Sequence, residues 1–331
     1  MKNLMNFPVY DGCLRDYERG MADLAADCER LGIDGIEAIW DHMPYTEEMP
    51  PKELVVGYHL LFFSCWLDFW NGDLNALERE YGSMDMVREY YRGTDRSVML
   101  ERHREDLRRA VDLEAEYVVL HASEVSLEEC FTYRFNHTDE EVIDATADLA
   151  NQMLDEMGFE GTLLLENQWW PGLTFTRPEM TRRLLERIEY GDKGIMLDTG
   201  HLLHTNTHLR SEAEAARYID DMCREHGDLV QQVRGLHLHQ SVTGAYVEAQ
   251  GFAVPEDFAG ERDYWKRYTL CYNHILQIDK HQPWTDPAIA PIVRAIDPEW
   301  VNHELSAWPR AAHVEALSTQ LNTLRAGGLS V

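Results

Sequence analysis

At 331 residues, with 44% hydrophobic and 27% charged side chains, the chain has enough apolar material for one sizeable domain, 1–331, and too little polarity for extended disorder. Acidic residues outnumber basic ones 59 to 30, a formal net charge of -29; that field repels a polyanion, so nucleic acid is not the expected partner, whereas a small phosphorylated molecule held by a few local arginines is compatible with it. No apolar run is long enough to span a bilayer, the opening MKNLMNFPVYDG lacks a secretory pattern, and the cysteines at 13, 28, 65, 130, 223 and 271 show no paired spacing, so a cytoplasmic location without a disulfide framework or a cysteine zinc site is expected.

In chain order, short runs rich in Val, Ile or Leu fall at residues 4–7, 35–40, 54–60, 117–121, 162–166, 194–198, 233–239 and 300–305. Each has the composition of a strand buried on both faces. Amphipathic stretches alternate with them. DYERGMADLAADCERLG closes on Gly32, a helix C-terminal cap. Thr138 followed by Glu141 opens a helix with a capping box, Pro178 starts another, and SEAEAARYIDDMCREHG runs from a serine cap to a glycine. Two long inserts, 62–92 and 241–273, follow the third and seventh strands. The aromatic start of the first, FFSCWLDFWNGD, is read either as loop packing or a subunit contact in a homo-oligomer, or as a substrate lid.

Eight strands alternating with helices predict a closed (β/α)8 TIM barrel with long insertions on its carboxyl-end face. An open doubly wound sheet would advertise a glycine-rich phosphate loop after its first strand, and none is present.

Polar residues collect where four successive strands end: Glu166 in LLLE, Asp198 in GIMLD, His237 and His239 in GLHLHQ, and Glu304 in VNHEL. Two acids, an imidazole and a third acid make a ligand set suited to Mn²⁺, Mg²⁺, Zn²⁺ or Co²⁺. Left unpaired, that much negative charge at a barrel mouth would be costly. His201 lies three residues past Asp198 and can reach the same pocket as a substrate-binding group or a further ligand. His59 and His121 end the third and fourth strands, and DKHQPW places Asp279 and His281 on a loop. His59, His121 and His239 are taken as substrate-binding candidates. His42, His204, His208, His226, His274 and His303 are left as surface or supporting residues. Trp169, Trp170 and Trp308 follow strand ends and offer flat faces for a sugar ring, and Arg310 offers a cation for a carboxylate or phosphate.

Through these residues the sequence resembles the xylose-isomerase-like TIM-barrel superfamily, which also contains endonuclease IV, over about residues 32–308. In the sugar epimerase branch one divalent metal is held by Glu, Asp, His and Glu, which match Glu166, Asp198, His237 and Glu304; the substrate-contacting histidine matches His201. The resemblance implies proton transfer through an enediolate, with Glu166 and Glu304 as the paired acids, on a small carbohydrate-like substrate. The endonuclease branch uses three zinc ions, and its additional ligands are similar to His59, His121, His201, Asp279 and His281. The charge balance and the acidic or aromatic inserts weigh against a DNA substrate, so a sugar or polyol isomerase or epimerase with one metal is the expectation. A multinuclear zinc phosphoesterase is the alternative, followed by other metal-dependent lyase or hydrolase chemistry on a sugar-like molecule.

Overall fold

The computed structural model describes residues 1–40 and 49–331, so His42 lies outside the described residues. Eight parallel strands close on themselves in sequence order: β1 (Lys2–Val9), β2 (Gly35–Trp40), β3 (Val55–His59), β4 (Tyr117–His121), β5 (Thr162–Glu166), β6 (Lys193–Asp198), β7 (Val233–His237) and β8 (Trp300–His303). The family of short apolar runs is thus a (β/α)8 barrel. Three predicted strands run too long at the carboxyl end, because Leu60, His239 and Glu304 lie just beyond the ladder, where the chain turns into the loops.

The helices follow the predicted punctuation. Thr138 and Glu141 form a reciprocal capping box at the start of Asp139–Leu154, and Gly32 adopts the left-handed conformation that closes Met21–Leu31. That second helix begins later than its amphipathic pattern, because Gly20 has a positive φ of 63°.

Inside the barrel, the end nearest the strand N-termini is filled by Leu4, Val56, Val119, Leu164, Met196 and the rings of Tyr117 and Trp300. Above this apolar plug the interior turns polar. In-register pairs bring His121 beside Glu166, Asp198 beside His237, and His237 beside Asn302. The polar groups face the carboxyl end, where TIM-barrel sites form.

The inserts fold into short helices, Leu67–Asn71, Leu74–Tyr81 and Met84–Tyr91 in the first, and Gly244–Gln250, Glu256–Gly260 and the start of Tyr264–Ile278 in the second. They pack on each other: the Tyr81 and Tyr264 rings are 4.8 Å apart, and Trp265 Nε1 donates to Glu89 Oε1 at 2.9 Å. Trp66, Phe69 and Trp70 are buried in this second core together with Trp169 and Trp170. Trp66 Nε1 donates to the Ser123 carbonyl at 2.8 Å and Trp70 Nε1 to Asp148 at 3.0 Å. These tryptophans therefore pack the insert against the barrel. Phe62, half exposed, is the member of the aromatic run that faces the open cavity, and its ring stacks on His121 at 4.3 Å.

Candidate metal centre

Glu166 leaves the end of β5 with its two oxygens turned to different neighbours. Oε2 is 3.1 Å from Nε2 of both His59 and His121. Oε1 is 3.1 Å from His201 Nδ1 and 3.4 Å from His237 Nδ1. His237 Nδ1 also lies 3.0 Å from Glu304 Oε2 and 3.8 Å from Asp198 Oδ2. Beyond Asp198, Oδ2 meets His239 Nε2 at 3.0 Å, and Asp279 Oδ2 is 3.1 Å from His201 Nε2 and 3.0 Å from His281 Nε2.

Ligand atoms are close enough to share ions in three groups: His59, His121 and Glu166; Glu166, Asp198, His237 and Glu304; and Asp198, His201, His239 and His281. A tetrahedral ion with ligands at ~2.0–2.1 Å holds those ligands roughly 3.3–3.4 Å from each other, and the separations above bracket that spacing. Several buried atoms lack a hydrogen-bond partner among the described residues, including His237 Nδ1, His239 Nδ1, His281 Nε2 and Glu304 Oε2. His237 Nδ1 and Glu304 Oε2 are near each other but not aligned to bond. Buried polar groups are normally satisfied, and atoms that converge without bonding suit a shared cation.

Supporting contacts fix these side chains. Glu37, in the middle of β2 and completely buried, accepts from Tyr117 Oη at 2.7 Å and Asn302 Nδ2 at 2.9 Å, and lies 3.0 Å from His237 Nε2. With Nε2 donating to Glu37, Nδ1 of His237 presents its lone pair to the acids. Asn167 brackets Asp198, donating to its carbonyl at 3.0 Å and accepting from its amide at 2.8 Å. The Ser241 hydroxyl accepts from the backbone amides of Lys280 and His281, which sets the loop carrying Asp279 and His281. His204 is buried, with Nε2 at 3.3 Å from Asp279 Oδ1. Close approach also decides Gly200: a Cβ there would lie 1.9 Å from His239 Cε1, so only glycine lets that ring seat against the helix start.

Electrostatics matches this geometry. Burial pushes the Glu166 carboxyl up, but the rings of His121 and His237, with hydrogen bonds from His121 and His201, hold it well below the usual carboxylate range. Asp279 behaves alike: burial opposes the charge, and His281 and His201 hold the group well below its ordinary value. Glu304 is likewise held low by His237 and His281 against its burial. The reciprocal effect raises His201 and His237 well above the ordinary imidazole range despite burial, through Asp198 and Asp279 in the first case and Glu37 and Glu304 in the second. Cations in these positions would take over the charge balance and release those protons.

The structure brings Glu166, Asp198, His237, Glu304, His201, His59, His121, Asp279 and His281 together. His239, expected to contact substrate, stands among the potential ligands. Trp169 and Trp170, their rings 4.2 Å apart and tilted by 39°, lie on the wall of a cavity of about 370 Å³ directly above the acids. Trp308 is exposed and lines a neighbouring cavity instead. Arg310 is engaged elsewhere: its Nε donates to Asp27 at 2.6 Å, Nη1 is 3.1 Å from Asp23, and its guanidinium lies over the Tyr17 ring. Sequence reading missed Glu37, whose visible signal was a lone acid at the centre of an apolar strand, and Ser241, which gave no separate signal; the Glu166–Asn167 pair was visible only as a likeness to the endonuclease branch, without the contact to Asp198.

The family model of the xylose isomerase-like TIM barrel matches residues 25–248. Among curated proteins, no sequence relative matches. Solved structures share the fold at low identity. Endonuclease IV from Thermus thermophilus is 15% identical with a TM-score of 0.54, covering 99% of this chain and 98% of that one. A candidate xylose isomerase from Rhodospirillum rubrum is 13% identical with a TM-score of 0.57, covering 98% and 99%. A D-tagatose 3-epimerase-like protein is 15% identical with a TM-score of 0.49, covering 99% and 100%.

Proposed function

The chain belongs to the xylose isomerase-like TIM-barrel family, and from that premise we propose that it is a multinuclear metal-dependent hydrolase of a phosphate ester. The observation that carries this reading is the split engagement of Glu166, with one oxygen among His59 and His121 and the other beside His237. A carboxylate shared between ion positions is the arrangement of two-metal hydrolytic sites, and a single ion held by Glu166, Asp198, His237 and Glu304 leaves the clusters around His59 and His121 and around His201, Asp279 and His281 without a ligand role.

Zinc or a similar divalent ion, bound there, would supply Lewis acidity at a phosphoryl oxygen and a water nucleophile near neutral pH. The chain's own residues do the positioning. Glu37 fixes the tautomer of His237, Asn167 fixes Asp198, and Ser241 fixes the loop of Asp279 and His281. The aromatic inserts close the sides of the cavity, which lowers the local dielectric and strengthens each charge interaction within it.

A sugar or polyol isomerase or epimerase using one Mn²⁺, Co²⁺, Mg²⁺ or Zn²⁺ is the second reading. It is favoured by one observation: Glu166, Asp198, His237 and Glu304 form a sufficient four-ligand group by themselves, with His237 between the two glutamates. Metal content per chain separates the two. Two or three ions, with cleavage of a phosphodiester lost in Glu166→Gln, supports the hydrolase; one ion, with exchange of a carbon-bound ketose proton into solvent, overturns it.

A further inference from the structure

The cavity above the ligand side chains limits what the site can hold. It has about 370 Å³, the size of one small ligand. Phe62 from the first insert, Trp169 and Trp170 after β5, and Tyr268 and Tyr272 from the second insert form its walls. Among the described residues no lysine or arginine lines it, and the sequence of residues 41–48, DHMPYTEE, contains neither. Arg310, which the sequence offers as a cation for a carboxylate or phosphate, is paired with Asp23 and Asp27.

An anionic substrate there meets compensating charge only at the ion positions. Any second phosphate would lie between aromatic walls, near Asp279 and Glu304, without a cationic partner. Nucleic-acid recognition rests on many contacts between basic groups and phosphates, which this mouth does not provide. One further polar group addresses a ligand: the buried Gln168 side chain lines the cavity, and among the described residues its polar contact is with the His121 ring nitrogens, at a long 3.5 Å. Its carboxamide offers both a donor and an acceptor to a neutral polar group beside the reacting centre.

Resting on the hydrolase reading, we infer that the substrate is a low-molecular-weight phosphodiester carrying a single negative charge and an uncharged, ring-bearing organic part, not a nucleic-acid strand. In the reaction a water oxygen bonds to phosphorus as one ester P–O bond breaks. The departing alcohol oxygen takes up a proton, and the products are a phosphomonoester and an alcohol.

The test uses metal-replete full-length protein and three probes: bis(4-nitrophenyl) phosphate, methyl 4-nitrophenyl phosphate, and a duplex oligonucleotide with one abasic site. The expected result is hydrolysis of both small diesters, with kcat/KM at least tenfold higher for the bis-aryl ester, and no nicking of the duplex at low or moderate salt. Phe62→Ala should shrink that preference at least fivefold, and Gln168→Ala should raise KM more than it lowers kcat. Duplex cleavage as efficient as diester cleavage, or a bis-aryl preference untouched in Phe62→Ala, overturns the inference while leaving the hydrolase reading intact. A protein that carries two or three ions and cleaves none of the three overturns both.

Discussion

Glu37 Oε1 lies 3.0 Å from His237 Nε2, with both side chains fully buried inside the barrel. The same carboxylate accepts from Tyr117 and Asn302. This contact leaves Nδ1 of His237 as the atom facing Glu166, Asp198 and Glu304, so one acid on β2 sets the direction of a ligand on β7. Replacing Glu37 by Gln should weaken metal binding ~10- to 100-fold, the usual effect of losing a carboxylate behind a ligating histidine. Competition against a chromophoric chelator measures this; an unchanged affinity would remove Glu37 from the metal site. Nitrogen chemical shifts of the His237 ring should show loss of a single tautomer, which a purely structural role would not produce.

The two outer ligand groups should empty independently. His59→Ala combined with His121→Ala should lower the metal content by one ion per chain and leave the four-ligand group of Glu166, Asp198, His237 and Glu304 filled. His281→Ala should remove a different ion. Elemental analysis after dialysis reads both, and identical metal content in all three proteins would refute the division into separate positions.

Gly200→Ala tests the seating of His239. The added Cβ would fall 1.9 Å from the imidazole, and overpacking of this kind costs about 1–3 kcal/mol. The variant should melt at lower temperature and lose the ion shared by Asp198 and His239. Wild-type stability with full metal content would show that the ring has room to move.

Stability should also depend on pH through His103, on the helix Arg96–Asp112. Burial lowers its imidazole from the ordinary 6.5 to about 4, while Nδ1 bonds to the Met99 carbonyl at 2.9 Å. Between those values the unfolded chain binds the proton and the folded chain does not. The contribution is therefore complete above pH 6.5 and is lost as the pH falls toward 4. Relative to His103→Gln, the wild type should lose roughly 2–3 kcal/mol between pH 7 and pH 4.5, measured by denaturant titration. Parallel pH profiles would mean that His103 titrates normally in the folded state.

The barrel and most of its candidate ligands were legible along the chain because both are recorded in local order. Apolar runs at strand spacing, separated by capped helices, demand a parallel sheet with both faces covered. Polar residues placed last in such runs must emerge at one end once the sheet closes, which is why Glu166, Asp198, His237 and Glu304 could be read together. Partnership across the barrel is different, since it depends on closure and strand register. Only the tertiary structure joined Glu37 to His237 over 200 residues, divided the oxygens of Glu166 between two groups of histidines, and enclosed Arg310 between Asp23 and Asp27. It also decided the aromatic insert, burying Trp66 and Trp70 against the barrel and leaving Phe62 to face the cavity. An apolar residue on a loop encodes a need for burial but not the surface that provides it. That surface exists only when segments far apart in sequence have been brought into contact.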